Sequence, residues 1–430
     1  MLKQSFIRLA STDVEYRPFA EVPALLETPN VPGNVTVLHP GEYNRSDAID
    51  LKPGDAVKTG QKLALFPESV AYVVSPVTGT VAGIEPFAGD FGRRYAAVTI
   101  EVSDEEEPDN QFTEAAASPS LEAAKNFLGC VPGMPDLSVF GDPDHPIDVL
   151  IVSGADSDLM VDTNKYVITA ETAEVEHGLH LLREITGVDR IVVALPSDIV
   201  QGIGSLEAEV FGVSPAYPSA NPRMIANAVL GEPIPAGRTL AEAGVAMMSA
   251  EAVANIGKAF ESGSIPTKKA ITLIRKDGSK TMVSVKLGTP MGRILRDYGE
   301  SLGEGDRLIL GGPMTGSAVF SDTYPIQADT DAIMVQDSQA VSFVSDYPCI
   351  NCGECIRICP TKVQVSMLVR FLEAGQYEDA ADLYDLYSCV DCGLCSFVCV
   401  SKIPIFQYIR LAKYELSRLQ AAEAEEAENV

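Results

Sequence analysis

The stretch that decides the fold is Cys349-Ile350-Asn351-Cys352-Gly353-Glu354-Cys355-Ile356-Arg357-Ile358-Cys359-Pro360. A second run, Cys389-x-x-Cys392-x-x-Cys395-x-x-x-Cys399, repeats its spacing. These two runs contain eight of the nine cysteines in the 430-residue chain, and Cys130 lies elsewhere. Disulfides are typically spread over small secreted domains, whereas dense cysteines in a long chain are typical of metal sites in a reducing compartment. The runs therefore predict a metal-binding module, and Cys130 is expected to be a buried thiol without a function.

Each run resembles the cysteine motif of bacterial ferredoxins that hold two [4Fe–4S] clusters. In that motif three close thiolates bind one cluster, and the fourth cysteine binds the other cluster. The predicted ligands are therefore Cys349, Cys352, Cys355 and Cys399 for one cluster, and Cys389, Cys392, Cys395 and Cys359 for the second. Structural zinc is the alternative, because zinc sites also use paired cysteines. Zinc, however, does not require two four-cysteine runs of identical spacing.

Composition limits the class of partner. The formal net charge is -28, and 46% of the residues are hydrophobic. Binding to nucleic acid requires clustered Lys and Arg, so no nucleic-acid partner is expected. The length suggests about two to four domains. The N-terminal residues contain no apolar leader-like segment, and no run of about 18 apolar residues occurs, so neither a signal peptide nor a membrane span is expected.

Local patterns predict a multidomain α+β fold. Short apolar runs separated by glycines indicate an all-β unit, strand–helix–strand spacing from residue 147 indicates a parallel α/β unit, and Asp277-Gly278 between two apolar runs indicates a hairpin. A single long helix is expected over 241–260. The predicted segments are an N-terminal segment at 1–30, a sandwiched β-barrel (barrel-sandwich hybrid) at 31–102, an acidic linker at 103–120, an α/β domain at 121–265, a β-grasp domain at 266–338, an α-helical ferredoxin-like module at 339–415 and an acidic tail at 416–430.

This order of modules resembles the C subunit of the Rnf ion-translocating electron transport complex. The resemblance covers residues 30–415 and is most specific at Ser75–Val81, at Gly311–Gly316 and across the cysteine module. It implies a complex I flavoprotein-like α/β domain and a peripheral subunit at the cytoplasmic face of the cell inner membrane. Such a subunit relays electrons between a soluble partner, a ferredoxin or a cytochrome, and the membrane subunits of its complex.

In this family the α/β domain binds FMN and NADH, and a glycine-rich loop holds the flavin phosphate through backbone N–H groups. Residues 127–135, where that loop is expected, read Phe-Leu-Gly-Cys-Val-Pro-Gly-Met-Pro and lack the glycine run. The family's acidic Glu-Cys-Glu-Pro stretch falls on Gly154–Leu159, where Asp156 and Asp158 replace both glutamates and the proline is absent. These two losses argue against FMN and NADH, and they leave open whether any flavin is retained.

Three functions follow from these patterns. The leading one is an iron–sulfur relay subunit without a substrate site of its own. The alternatives are an NADH-oxidising, flavin-containing dehydrogenase subunit and a docking scaffold with structural clusters. No nucleophile–base pattern is evident in the sequence, and its four histidines are scattered. The direction of electron flow and the translocated ion stay open.

Overall fold

The computed structural model describes residues 14–17, 22–27, 32–44, 49–67, 69–89, 93–204, 206–345 and 347–428, with side chains as far as residue 423. The described part is a mixed α/β structure that contains sheets of six, four, four and two strands and ends in a helical module. No helix in these ranges combines the length and the apolarity that a membrane crossing requires.

Residues 32–102 form two antiparallel sheets. The larger has the order β2 (Asn34–Pro40), β7 (Arg94–Val102), β6 (Gly79–Ala88) and β3 (Ala56–Val57), and the smaller pairs β4 (Lys62–Leu63) with β5 (Val73–Val74). Their core contains Val35, Val81 and Ile100, all at most 1% exposed. At Gly79, in β6, a Cβ atom would overlap the carbonyl of Glu101 in β7. The close approach of the two backbones at this point therefore requires glycine. The region is all-β as expected, and its assignment to the sandwiched-barrel type stays a prediction.

The segment predicted to be an acidic linker, 103–120, contains helix α1 (Gln111–Ala116). Its Phe112 is 1% exposed and packs against the rings of Phe127 and Phe260. Helix α2 (Leu121–Phe127) follows directly, and its N-cap Ser120 accepts a hydrogen bond from the amide of Ala123. An apolar anchor within an acidic, small-residue segment therefore attaches it to the α/β unit.

The α/β unit has four parallel strands in the order β10 (Glu209–Val213), β9 (Arg190–Pro196), β8 (Val149–Ser153) and β11 (Val245–Ser249). Its helices are α3 (Thr163–Ala170), α4 (Thr172–Thr186), α5 (Pro222–Leu230) and α6 (Ala250–Ser262). The strands read as continuous apolar runs because a parallel sheet is covered on both faces. Helices α4 and α6 approach closely, since a Cβ at Gly178 would overlap the carbonyl of Val253.

The single helix expected over 241–260 is wrong. A 3₁₀ turn (Ala241–Ala243) ends at Gly244, whose φ is 72°, and β11 follows before α6 begins. Residues 245–249 pair with β8, so the register of the parallel sheet overrides the helical tendency of this Ala- and Met-rich stretch.

A six-stranded mixed sheet forms the unit after residue 266. Its order is β1 (Leu25–Glu27), β13 (Lys280–Lys286), β12 (Lys268–Ile274), β16 (Ala332–Gln336), β14 (Arg307–Leu310) and β15 (Ser317–Val319). The predicted hairpin is confirmed, because β12 and β13 are antiparallel and Gly278 has a φ of 78°. Helix α7 (Met291–Asp297) buries Met291 and Ile294. Strand β1 comes from the N-terminal segment and pairs with β13 in parallel, which no local pattern predicts.

The C-terminal module consists of α8 (Glu354–Ile358), α9 (Val365–Glu373), α10 (Tyr377–Tyr384), α11 (Leu394–Val398) and α12 (Ile405–Glu428). Its core buries Leu368, Leu386 and Ala412. Helix α12 continues through most of the segment predicted as an acidic tail, 416–430, so that segment is helical as far as Glu428.

Candidate iron–sulfur module

The two cysteine runs fold in the same way. Gly353 and Gly393 both have a φ of 74° and precede the short helices α8 and α11. Asn351 and Asp391, two residues earlier, also have positive φ values of 58° and 53°. Left-handed positions are accessible to glycine without strain, so each run can turn tightly and direct its first three cysteines to one side. Equivalent backbones indicate equivalent chemistry.

The first set of cysteines lines one cavity. Cys349, Cys352 and Cys355 of the first run share this cavity with Cys399, the last cysteine of the second run. Ile350 and Val400 contribute to its wall. The fold therefore brings the fourth cysteine of one run to the first three of the other.

The second set contains Cys389, Cys392, Cys395 and Cys359. Burial raises the pKa of the Cys392 thiol to about 11, and Cys359 of the other run adds to this increase. Burial also raises the pKa of Cys395 well above its ordinary value, with further contributions from Cys389 and Cys392. Cys359 therefore lies close enough to Cys392 to affect the pKa of its thiol.

The cysteines of both sets are buried or partly buried, and their thiols lie close together. Burial raises the pKa of Cys355 to about 12, and the neighbouring Cys349 and Cys352 raise it further. The pKa of Cys389 is also raised to about 12, first by burial and then by Asp391. Clustered buried thiolates are unfavourable without cations, so metal binding at these sites must displace protons. Within the described ranges, no three His, Cys, Asp or Glu side chains converge on a position for a single metal ion.

The second loop packs against the α/β unit. Tyr217, which is 7% exposed, donates a 2.6 Å hydrogen bond to the carbonyl of Cys392. Asn221, at the start of α5, donates from Nδ2 to the carbonyl of Val390 at 2.8 Å. At Gly393 a Cβ atom would overlap the carbonyl of Met314. Sequence patterns do not indicate these contacts, because Asn221-Pro222 reads only as the start of a helix.

The crevice at the carboxyl ends of the parallel strands is where open α/β sheets bind ligands. Here the carboxylate of Asp156 accepts hydrogen bonds from the amides of Asn164 and Lys165 at 2.9 and 3.1 Å, at the start of α3. A neighbouring cavity of about 390 Å³ is lined by Asp156, Lys165 and Asp198, among others. Lys165 forms a 2.7 Å ion pair with Asp198. The helix N-terminus in this crevice is therefore capped by the chain's own carboxylate.

The glycine loop Gly311–Gly316 is capped in a similar way. Asp158 accepts hydrogen bonds from the amides of Met314 and Thr315 at 3.1 and 2.8 Å, and from the Thr315 hydroxyl at 2.7 Å. Burial raises the pKa of Asp158, and the hydrogen bonds from Thr315 and Met314 oppose this increase. The loop amides thus bind an internal carboxylate.

The loop at 127–135 lies against the start of α6. The amide of Gly133 donates to the carbonyl of Ala328 at 2.8 Å, and the carbonyl of Pro132 accepts from Asn255 Nδ2 at 3.2 Å. A Cβ atom at Gly133 would overlap the amide nitrogen of Ala252. Cys130, expected to be buried, is only partly buried, and its thiol donates to the carbonyl of Tyr72 at 3.1 Å.

Comparisons with known proteins agree with the cysteine geometry. The family described as 4Fe-4S dicluster domain matches residues 348–403. The C subunit of the Na(+)-translocating ferredoxin:NAD(+) oxidoreductase complex of Acetobacterium woodii is 24% identical, over 76% of this chain and 79% of that protein. The C subunit of the proton-translocating ferredoxin:NAD(+) oxidoreductase complex of Clostridium ljungdahlii is 26% identical, over 85% of this chain and 84% of that protein. The C subunit of the ion-translocating oxidoreductase complex of Klebsiella pneumoniae is 27% identical, over 88% of this chain and 53% of that protein.

Among solved structures, NAD+-reducing [NiFe]-hydrogenase in the H2-reduced state matches 72% of this chain and 63% of that chain, with 14% identity and a TM-score of 0.44. The resemblance drawn from the module order is confirmed by the sequence relatives. The chain is similar over most of its length to C subunits of ion-translocating oxidoreductase complexes, and its residues 348–403 match the 4Fe-4S dicluster domain family.

Proposed function

We propose that this chain is a peripheral iron–sulfur subunit that relays electrons within an ion-translocating membrane complex. The observation that carries the proposal is the exchange of cysteines between the two runs, which places Cys399 in the cavity of the first set. That exchange is the arrangement of two-cluster ferredoxins. When bound, the clusters would supply one-electron transfer, while the chain supplies the thiolates and excludes solvent from them.

The proposed ligands are Cys349, Cys352, Cys355 and Cys399 for the first [4Fe–4S] cluster, and Cys389, Cys392, Cys395 and Cys359 for the second. Zinc is disfavoured by the sequence and the fold together. A structural zinc site uses four ligands and does not require two four-cysteine runs of identical spacing, nor an exchange that brings Cys399 to the cavity of the first run.

The chain's own residues do not fit the phosphate of FMN. The amides of Asn164 and Lys165 at the start of α3 are bonded to Asp156, and those of Met314 and Thr315 in the glycine loop are bonded to Asp158. In the loop at 127–135, the amides of Gly129, Gly133 and Met134 each donate to another group of the chain, so they are not available to a phosphate. A phosphate placed in this crevice would also face buried carboxylates. We therefore favour a relay over the alternative of an NADH-oxidising subunit.

The partners follow from the proposed role. The chain would exchange electrons with two kinds of partner. One is a soluble ferredoxin or cytochrome, and the other is the set of membrane subunits of the complex. The proposed location is the cytoplasmic face of the inner membrane, bound through those subunits. A docking scaffold with structural clusters would require clusters that cannot be reduced, which gives the alternative a direct test.

The test is anaerobic reconstitution of the full chain, followed by iron and sulfide analysis and by visible and EPR spectra. About eight iron and eight sulfide per chain are expected, together with reduction by dithionite but not by NADH, and no flavin released on denaturation. The variant Cys399→Ser should lose the first cluster alone, and Cys359→Ser the second, while the matched Cys130→Ser keeps both. Tightly bound zinc, or reduction by NADH, would contradict the proposal.

A further inference from the structure

Asn351 and Asp391 occupy the same position in the two cysteine loops. Each lies two residues after the first cysteine of its run, and each has a positive φ, 58° for Asn351 and 53° for Asp391. Their side chains are nearly equal in size and shape, but only that of Asp391 ionises. The two loops therefore differ by one charge at a position where their backbones are equivalent.

A basic side chain from a later helix reaches each of these two residues. Arg370 of α9 donates a 3.0 Å hydrogen bond to Oδ1 of Asn351. Lys413 of α12 forms a 2.7 Å ion pair with Asp391 and donates a 2.8 Å hydrogen bond to the carbonyl of Cys389. The cation at the first loop thus meets a neutral amide, whereas the cation at the second loop is balanced by a carboxylate.

The carboxylate of Asp391 lies close to the sulfur of a proposed cluster ligand. Its Oδ1 is 3.8 Å from Sγ of Cys389. Reduction adds a negative charge to an iron–sulfur cluster, so a nearby carboxylate opposes reduction and a nearby cation favours it. Asp391 therefore makes reduction of the second cluster less favourable, and the neutral Asn351 has no such effect on the first cluster.

Both loops have further charged neighbours. At the first loop, Glu354 pairs with Arg357 at 2.5 Å, and the same guanidinium donates to the carbonyl of Cys352 at 2.9 Å. At the second loop, Arg223 and Arg238 line a cavity beside the cysteine run. Arg223 donates to three backbone carbonyls, and Arg238 is exposed, so solvent screens its charge. Cations are thus present at both loops, and the matched position 351/391 remains a difference of one charge.

Solvent exposure separates the two loops in the same direction. Ile350 is 54% exposed, whereas Val390, the equivalent residue of the second loop, is 6% exposed. Residues 392–395 are all buried, but of the equivalent residues 352–355 only Cys355 is buried. Water stabilises the additional negative charge of a reduced cluster, and burial removes this stabilisation. Burial and Asp391 therefore both disfavour reduction of the second cluster.

We propose that Asp391 holds the reduction potential of the second cluster below that of the first, so that the first electron to enter the module resides on the first cluster. This inference rests on the proposed function. Asp391 acts through its charge and binds no iron. An electron that reaches the second cluster passes to the first, so the second is oxidised as the first is reduced, and no bond is made or broken. Because the second loop packs against the α/β unit, this difference in potential directs electrons away from that unit.

The test is a redox titration of the reconstituted full chain, followed by EPR spectroscopy. Two one-electron steps are expected. Asp391→Asn should raise the lower potential, because reduction of the second cluster becomes about tenfold more favourable, which corresponds to about 59 mV. Lys413→Gln should lower the same potential. Asn351→Asp should lower the upper potential, because it gives the first loop the carboxylate of the second. Asp104→Asn, an equal charge change at an exposed residue of the acidic segment, should change neither potential.

The signs of these shifts separate an effect of charge from damage to the loop. A loosened second loop would shift the potential in the same direction in Asp391→Asn and Lys413→Gln, and that result would overturn the inference. Equal potentials for the two clusters, or an unchanged lower potential in Asp391→Asn with its iron content retained, would also overturn it. If Asp391→Asn does not hold its second cluster, Asn351→Asp decides the question in the other loop, where an unchanged upper potential would count against the inference. If the unmodified chain holds no reducible clusters, the proposed function itself fails.

Discussion

Replacing Tyr217 by phenylalanine removes one hydroxyl from the contact between the α/β unit and the second cysteine loop. That hydroxyl donates a 2.6 Å hydrogen bond to the carbonyl of Cys392. Burial raises the pKa of Tyr217, so the hydroxyl stays protonated and donates at every pH at which the protein would be studied. The variant keeps the packing of the ring beside Val390, and it leaves the Cys392 carbonyl without this donor.

The expected magnitude follows from the burial. A buried carbonyl that loses its donor costs about 1–3 kcal/mol. Applied to local opening of residues 389–394, that cost corresponds to roughly a 5- to 150-fold increase in the open population. Asn221 still donates to the carbonyl of Val390, so the loop stays docked and the lower half of this range is expected.

Native-state hydrogen exchange of the reconstituted protein measures this opening directly. Peptides covering residues 389–394 should exchange faster in Tyr217→Phe, while those covering 349–354 should not change. Tyr387→Phe is the matched control, because the hydroxyl of Tyr387 makes only a 3.5 Å contact with Gln420 in the same module. Unaltered protection of the second loop in Tyr217→Phe would refute the view that this hydrogen bond holds it against the α/β unit.

Two further predictions concern buried charge. Lys269 is 1% exposed, pairs with the buried Glu251 and lies 3.1 Å from Asp331, so Lys269→Met should lower the free energy of unfolding by about 3–5 kcal/mol in urea titrations. Adding Glu251→Gln should recover part of that loss, and no recovery would contradict the pairing. Burial raises the pKa of Asp156 from 3.8 to about 7, so the folded state binds this proton more tightly than the unfolded state. Its contribution to stability is therefore greatest below pH 4 and decreases as the pH rises to 7. Asp156→Asn should flatten this decline, and equal slopes of stability against pH in both proteins would argue against it.

Much of the cysteine module was predictable, because its determinants are local. The spacing of Cys349–Cys359 and the positive φ of Gly353 belong to one short loop, and the exchange of fourth cysteines accompanies that spacing in ferredoxins. The hairpin at Asp277-Gly278 was predictable for the same reason. In both cases the residues that determine the local backbone conformation lie within the loop or turn itself, so the sequence pattern of that segment is sufficient to predict it.

The errors arise where distant contacts decide the outcome. Residues 245–249 form β11 because β8 is available to pair with them, although their composition favours a helix. Phe112 anchors a segment whose charge indicates a linker. Ile350 and Val390 occupy equivalent positions in equivalent loops, yet Val390 is buried in an apolar cluster that contains Tyr217 and other residues distant in sequence, whereas Ile350 is exposed. No pattern within either loop contains that information.

The pairing of β1 with β13 has a consequence for the timing of synthesis. Residues 28–279 separate the end of β1 from the start of its partner. At about 5–20 residues per second, the ribosome needs about 13–50 s to make that span, and β1 has no partner strand during this interval. An unpaired strand is open to pairing with other nascent chains. With three residues β1 offers little edge for such pairing, so its shortness is suited to a strand that is made early and incorporated late.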